Sequence, residues 1–203
     1  MPTRKALLTA LETKLQHMAA EKALPDSLTF AGNGEPTMHP EFPAIMAGTL
    51  ALRAKYCPQA RVSVLTNATR ILRDDIFETL LKVDTPLLKL DSVHPTYIKH
   101  VDRPTSHYPL EALLERMAAF KGHAWIQTLF MQGDYEGKSV DNTTEEHVVP
   151  WLEALARIQP AGVAIYTLDR DTPAKGLKKA DKATLDGIAR RVEAIGLHAQ
   201  VSY

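Results

Sequence analysis

Short apolar runs alternate with segments of helical period along the whole chain, and this alternation limits the fold more than any other feature. The predicted strands lie at 28–30, 62–65, 87–90, 125–131, 163–166 and 198–202. The predicted helices lie at 4–22, 41–56, from 74 onward, and at 109–120, 144–158 and 182–195. Strands separated by helices are typical of a parallel sheet built from βα units. The pattern predicts an α/β protein, either an open doubly wound sheet or a partial barrel, because five or six units are too few for a closed eight-unit barrel.

Three local predictions concern the second half of the chain. Residues 132–142 are polar and read as a loop. Thr143, with Glu146 three residues later, forms the sequence pattern of a capping box for the helix at 144–158. Asp181 has the side chain and position of an N-cap for the last helix.

Composition narrows the class of protein. The 203 residues contain no repeat, low-complexity tract or linker, so we predict a single domain over 1–203. A net charge of zero does not indicate binding to bare nucleic acid or to an anionic membrane. Neither a long apolar span nor a secretory signal occurs. The single cysteine, Cys57, allows no internal disulfide and no multi-cysteine metal site, so we predict a cytoplasmic protein without metal ligands of its own.

Polar residues gather at the carboxyl ends of the predicted strands, where parallel α/β folds bind ligands. The candidate binding residues are Gly32, Asn33, Gly34, Glu35, Pro36, Thr66, Asn67, Lys89, Asp91, Ser92, Gln127 and Tyr166. The turn at 32–36 either lets a ligand approach the backbone closely or is an ordinary tight turn. Lys89 and Asp91 share one strand face and form either a structural ion pair or part of a polar cavity. Gln127 either lines that cavity or is a hydrogen-bonded core amide.

The run LTFAGNGEPTMHPEF at 28–42 resembles the G-G-E-P motif that follows the second strand of radical S-adenosylmethionine (SAM) enzymes, in its G-N-G-E-P-T form. The resemblance continues in order through VSVLTN at 62–67, LLKLDS at 87–92, WIQTLFMQG at 125–133 and VAIYTLDRDTP at 163–173. It implies a partial TIM-like (βα)6 barrel. Within the superfamily, the chain is most similar to iron–sulfur oxidoreductases related to tRNA wyosine-synthesis enzymes.

The resemblance implies reductive cleavage of SAM by a four-iron, four-sulfur (4Fe-4S) cluster, giving a 5′-deoxyadenosyl radical that acts on an unknown substrate. It implies that the backbone of Gly32, Asn33 and Gly34, together with Glu35, receives the methionine amino group. Thr66 and Asn67 would lie near the methionine carboxylate or the ribose. Lys89, Asp91 and Ser92 would line the ribose and carboxylate side, and Gln127 and Tyr166 would face the cavity.

The sequence departs from the family at the cluster ligands. The family uses three cysteines spaced C-x3-C-x2-C after its first strand, whereas Cys57 lies well downstream of that position. The resemblance therefore implies a chain that lacks the first strand and the cluster ligands, and we expect the exposed strand edge to favour a dimer. Two alternatives stay open. One is a non-catalytic module that binds SAM or a nucleoside, and the other is an aldolase or lyase in which Lys89 forms a Schiff base.

Overall fold

A computed structural model of the chain describes residues 1–31, 34–105, 107–169, 172 and 174–203. Six strands form one parallel sheet: β1 (Ser27–Phe30), β2 (Arg61–Thr66), β3 (Thr85–Lys89), β4 (Trp125–Leu129), β7 (Gly162–Tyr166) and β9 (Ala199–Ser202). Their order in the sheet follows their order in the chain, β1-β2-β3-β4-β7-β9. The predicted α/β fold is confirmed, and the predicted terminal strand is present as β9.

Helices connect the strands, as expected for βα units. They are α1 (Arg4–Ala20), α2 (Phe42–Tyr56), α3 (Asp74–Leu80), α4 (Pro95–Tyr97), α5 (Leu110–Ala118), α6 (Glu145–Ile158) and α7 (Lys182–Ala194). A one-turn 3-10 helix, Pro36–Met38, precedes α2, and a π-helical segment, Ile98–Asp102, follows α4.

The two predicted caps have different outcomes. The carboxylate of Asp181 accepts the Thr184 N–H at 2.7 Å, so the predicted N-cap of α7 is confirmed. The predicted capping box at Thr143 is wrong, because the N-cap residue of α6 is Thr144. The N–H and the hydroxyl of Thr143 both donate to the Asp141 carboxylate instead, at 2.9 and 2.6 Å. Thr143 is therefore part of a local turn that precedes the helix.

A second, antiparallel sheet occupies much of the region predicted as a polar loop. It consists of β5 (Met131–Tyr135), β6 (Lys138–Ser139) and β8 (Leu177–Lys179), in the order β6-β5-β8. The loop prediction for 132–142 is therefore wrong over most of its length. Gly133 takes a φ of +102°, and a Cβ there would lie 2.1 Å from the Gly176 carbonyl oxygen, so glycine is what lets β5 approach β8.

The chain divides into two compact units, Met1–Leu87 and Leu88–Tyr203, and the boundary falls inside β3. In the first unit, Val62 and Val64 of β2 are buried at the two-residue strand period. In the second unit, Ile126 and Thr128 of β4 repeat this pattern. The single domain over 1–203 stays a prediction. None of the helices in the described ranges has the length and apolar character needed to cross a bilayer.

Candidate functional site

In the first unit, the carboxylate of Glu35 joins the turn after β1 to the end of β2. Its Oε1 accepts hydrogen bonds from the Thr37 N–H at 3.0 Å, the Thr37 hydroxyl at 2.5 Å and the Thr66 hydroxyl at 2.6 Å. Its Oε2 accepts the Asn67 N–H at 2.6 Å. Four donors therefore converge on one carboxylate and compensate its charge by hydrogen bonding. The structure brings together Glu35, Thr66 and Asn67, three of the predicted binding residues.

The local sequence explains this turn. Pro36 begins the 3-10 helix, where a missing N–H costs no hydrogen bond, and Glu35 is the N-cap residue. Gly34 has a φ of +151°, and a Cβ there would meet nothing within 4 Å, so the backbone conformation rather than crowding requires glycine. Gly32 and Asn33 lie outside the described residues.

A cavity of about 300 Å³ lies beside this turn, within the first unit. Its lining is largely apolar and includes Phe30, Phe42 and Ile45, while Glu35 provides a carboxylate. Small-molecule sites typically combine an apolar lining with a few polar groups, and this volume is at the lower end of their range. The cavity and the Glu35 hydrogen bonds together make this turn the candidate binding site of the first unit.

In the second unit, Lys89 is held between two carboxylates. Its Nζ lies 2.9 Å from Asp91 Oδ2 and 2.6 Å from Asp102 Oδ1. The Asp91 side chain is 2% exposed, and its Oδ1 also accepts the Leu129 N–H at 3.1 Å. Of the two interpretations left open for Lys89 and Asp91, the structure shows the ion pair. Asp102 is a third member that the sequence analysis missed, because no periodicity links it to β3.

Burial and neighbouring charges raise the pKa values of four side chains in and around this ion pair. Burial raises the pKa of Asp91 to about 6, against the lowering effect of Lys89. Burial alone would lower the pKa of Lys89, but the charges of Asp91 and Asp102 raise it above its usual value. Burial and the nearby carboxylates raise the pKa of Tyr108 to about 12 and that of Tyr166 to about 12. At neutral pH, Lys89 is therefore charged and these phenols are hydrogen-bond donors.

Three predicted binding residues of the second unit remain: Ser92, Gln127 and Tyr166. Ser92 is buried, and its Oγ lies 3.1 Å from His147 Nδ1 and accepts the His94 N–H at 3.1 Å. Gln127 is half-buried in β4, where its backbone carbonyl accepts the Leu90 N–H at 3.0 Å. Tyr166 is half-buried at the end of β7.

Asn142 is a buried polar residue that the sequence analysis missed. Its Nδ2 donates to the Asp91 carbonyl at 3.0 Å and to the Leu129 carbonyl at 2.8 Å, and its Oδ1 accepts the Met131 N–H at 2.9 Å. The hydrogen bond to the Asp91 carbonyl fixes the backbone of Asp91 and thereby helps to position its carboxylate. The only signal for it in the sequence was an asparagine within a segment read as a polar loop.

The residues present do not fit a 4Fe-4S cluster. Over the ranges that the structure describes, no three His, Cys, Asp or Glu side chains are placed to bind a metal ion together. Cys57 is buried at the end of α2, where it packs with Leu15 and Ala60. Burial raises the pKa of its thiol, whereas cluster ligands are thiolates.

Comparison with known proteins gives distant relatives. No family model matches the chain. UPF0026 protein slr1464 from Synechocystis sp. is 28% identical over 197 residues, covering 85% of this chain and 69% of that protein. UPF0026 protein MJ1312 from Methanocaldococcus jannaschii is 26% identical over 180 residues, covering 85% of this chain. GTPase Obg from Brachyspira hyodysenteriae is 22% identical over 173 residues. The chain spans 50% and 24% of the lengths of the last two proteins.

Solved structures show which fold this is. A radical SAM methyltransferase from Sphaerobacter thermophilus matches 100% of this chain and 58% of its own, with a TM-score of 0.71 and 14% identity. The chain shares the α/β fold of this methyltransferase. A domain of the pyruvate-formate lyase-activating enzyme from Bacteroides vulgatus matches 88% of this chain and 100% of its own, with a TM-score of 0.64 and 18% identity. SuiB from Streptococcus suis, solved with SAM bound, matches 97% of this chain and 43% of its own, with a TM-score of 0.67 and 15% identity. The expected α/β fold with a six-stranded parallel sheet, consistent with a partial barrel, is thus confirmed.

Proposed function

We propose that this chain is the SAM-binding core of a radical SAM enzyme. The observation that carries the proposal is the Glu35 carboxylate, which joins the motif turn to the end of β2 beside a cavity of about 300 Å³. In this proposal, the backbone of Gly32, Asn33 and Gly34, with Glu35, holds the methionine amino group. Thr66 and Asn67 lie near the methionine carboxylate or ribose, and Pro36 sets the end of the turn.

The donors and acceptors of this turn suit an ammonium group. Oε1 of Glu35 accepts three hydrogen bonds, whereas Oε2 accepts one from the described residues and retains capacity for another. An ammonium group donating to a carboxylate makes a charge-assisted hydrogen bond, which is about twice as strong as a neutral one. The apolar lining beside it suits the methylene chain and the sulfonium substituents of SAM.

For the second unit, taken by itself, we propose a further set of polar ligand-binding residues. Lys89 would bind a carboxylate of the ligand, and Asp91 and Ser92 would line the side occupied by the ribose. Gln127 and Tyr166 would contribute a half-buried amide and a phenol that stays protonated at neutral pH. The mixture of a cation with hydroxyl and amide groups suits a ligand that carries both a carboxylate and hydroxyls.

The cluster needs ligands that these residues do not provide. In radical SAM enzymes a 4Fe-4S cluster supplies the electron for the reductive cleavage of SAM. Since Cys57 is the only cysteine of the sequence and is buried, these 203 residues do not supply the three thiolates that such a cluster uses. The single cysteine also favours a second candidate, a module that binds SAM or a nucleoside without catalysis.

Calorimetric titration with SAM and with S-adenosylhomocysteine tests the binding proposal. We expect the wild-type chain to bind SAM, and Glu35→Gln to weaken binding by about tenfold or more, the loss of one strong hydrogen bond. Glu41→Gln is the matched control, because Glu41 is half exposed and pairs only loosely with Arg4, at 3.5 Å. Absence of heat and of any thermal shift with either ligand would overturn the proposal.

Anaerobic reconstitution with iron and sulfide tests the statement about the cluster. We expect no iron–sulfur chromophore in the visible spectrum. A full cluster per chain would show that these residues do hold it, and would make the non-catalytic candidate wrong. SAM binding without a chromophore is the result expected for both the core of a larger enzyme and a binding module. Restoring SAM cleavage by adding a peptide that carries the C-x3-C-x2-C segment would distinguish them in favour of the enzyme.

The geometry at Lys89 argues against the aldolase alternative. A lysine must lose its proton before its amine can attack a carbonyl. Here two carboxylates contact the ammonium group and raise its pKa. We therefore expect borohydride trapping with pyruvate to give no lysine adduct, and an adduct at Lys89 would restore the alternative.

We place the chain near the tRNA wyosine-synthesis-like subgroup on its G-N-G-E-P-T motif, with an unknown substrate, and a net charge of zero gives no indication of RNA binding. The single cysteine is compatible with the reducing cytoplasm, where we propose that the protein acts. β1 lies at one edge of the sheet, so we also propose dimer formation through this strand.

A further inference from the structure

The two carboxylates that contact Lys89 differ in how firmly the fold holds them. Asp91 is fixed, because its side chain is 2% exposed, its Oδ1 accepts the Leu129 N–H, and its own carbonyl accepts from Asn142. Asp102 has a side chain that is 21% exposed, and Lys89 is the partner of its carboxylate among the described residues. Lys89 itself remains 32% exposed. Lys89 and Asp102 are therefore partly accessible to solvent, whereas Asp91 is not.

Asp102 is carried by an unusual piece of backbone. Asp102 is the last residue of the π-helical segment Ile98–Asp102. π-helical turns are rare overall, and those that occur are often at functional sites. The next residue, Arg103, takes a φ of +45°, which costs a non-glycine residue about 1 kcal/mol or more. Two contacts anchor this part of the chain. Arg103 contacts Glu136 at 2.5 Å, and His100 Nε2 lies 2.9 Å from the Tyr135 carbonyl oxygen. Both of these contacts are to the β5–β6 hairpin, whereas the Asp102 carboxylate contacts Lys89 of β3.

The residue just before this segment carries a buried hydroxyl that has no hydrogen-bond partner among the described residues. Tyr97, the last residue of α4, is 5% exposed, and its hydroxyl makes no hydrogen bond to any part of the chain that the structure describes. Tyr97 directly precedes the segment that ends at Asp102, and burial together with the charges of Asp91 and Asp102 raises the pKa of its phenol, so the hydroxyl stays a hydrogen-bond donor. A buried hydroxyl without a partner costs about 1–3 kcal/mol, so an acceptor that reached it would be stabilised.

We propose that Lys89 binds a carboxylate of a ligand, that Asp102 occupies this position in the free protein, and that the Tyr97 hydroxyl donates to the incoming group. The inference deepens the proposed function and rests on it for the identity of the cofactor. A carboxylate is the ligand group indicated, because the group now in place is itself a carboxylate. Exchange of one for the other leaves the local charge unchanged, whereas a phosphate dianion would add charge beside the buried Asp91.

An NMR titration of the full chain, labelled with 15N-lysine, tests this with sodium acetate as the probe. The Lys89 ammonium signal is assigned as the one that Lys89→Arg removes. We expect acetate to shift it at about tenfold lower concentration in Asp102→Asn than in the wild type, a difference of about 1.4 kcal/mol. Glu153→Gln, which removes a charge from an exposed position on α6, is the control and should titrate like the wild type.

A second variant covers the case in which Asp102→Asn does not fold. Tyr97→Phe removes only the hydroxyl that has no described partner, so we expect an unchanged or higher melting temperature together with about fivefold weaker acetate binding. Loss of stability without loss of acetate affinity would show that the hydroxyl is structural. Equal responses of wild type and Asp102→Asn to acetate, or no response of Lys89 in either, would overturn the proposal.

Two further ligands identify the source of the carboxylate. If it belongs to the cofactor, Asp102→Asn binds SAM more tightly, and decarboxylated SAM with unchanged affinity. If it belongs to a second molecule, the variant tightens acetate binding alone and leaves both nucleosides unaffected. The acetate titration needs no SAM, so a chain that fails to bind SAM but shows the Asp102 effect contradicts the proposed function and not this site.

Discussion

The replacement Glu35→Gln tests whether one carboxylate organises the turn after β1. The amide oxygen can still accept from Thr37 and Thr66, as Oε1 does now. The amide nitrogen takes the place of Oε2 and faces the Asn67 N–H, so two donors meet where a hydrogen bond of 2.6 Å had been. The variant therefore keeps the size of the side chain and removes one charge-assisted bond together with the charge that strengthens the other three.

The expected loss follows from the chemistry of that bond. Hydrogen bonds to charged groups contribute about 1.5–3 kcal/mol when buried. Because Glu35 is half-buried and Asn67 is exposed, we expect a loss near the lower end, about 2 kcal/mol in the free energy of unfolding. For a chain of this length, such a loss lowers the melting temperature by about 4–8 °C.

Urea unfolding at pH 7, followed by circular dichroism, measures the effect. Glu41→Gln is the control, since the Glu41–Arg4 pair has side chains that are 45% and 50% exposed. Such a pair contributes at most about 1 kcal/mol and often nothing measurable, so the control should lie close to the wild type. If Glu35→Gln unfolds at the same urea concentration as Glu41→Gln, the four hydrogen bonds do not stabilise the turn and the reasoning is refuted.

Three further results are expected. Asn142→Ala removes three hydrogen bonds of a buried side chain and should lower the free energy of unfolding by about 3 kcal/mol, as measured in urea; a loss below about 1 kcal/mol would contradict the structural role given to this amide. Burial raises the pKa of Asp91 from 3.8 to about 6, so the folded state binds the extra proton between these values and the Asp91 contribution to stability falls as pH rises through this window. Asp91→Asn should remove that part of the pH dependence in unfolding curves from pH 4 to 7, and an identical slope in the variant would count against the raised pKa. Thr29→Lys places a charge on the edge strand β1 and should abolish the dimer that we propose, as measured by light scattering; a wild-type monomer would show that the edge does not pair.

The strands of the main sheet were predictable because their signal is local. Val62 and Val64 alternate with more exposed residues within β2, and the six predicted strand positions all correspond to strands of the sheet. The antiparallel sheet was missed because its strands carry glycine and polar side chains. β5 alone contains Gln132, Gly133 and Asp134, which hide the two-residue alternation, and its pairing with β8 joins segments more than 40 residues apart.

The sequence by itself determined the order of the strands and the motif turn, because both depend on residues close together in the chain. It placed Lys89 and Asp91 on one strand face for the same reason. Only the tertiary structure decided which further groups meet them: Asp102 lies 13 residues from Lys89, and Asn142 lies 51 residues from Asp91. Such contacts depend on how separate elements pack, and no local period encodes that packing. The resulting arrangement gives Lys89 a carboxylate partner on a π-helical segment, which is the basis for the proposed ligand exchange.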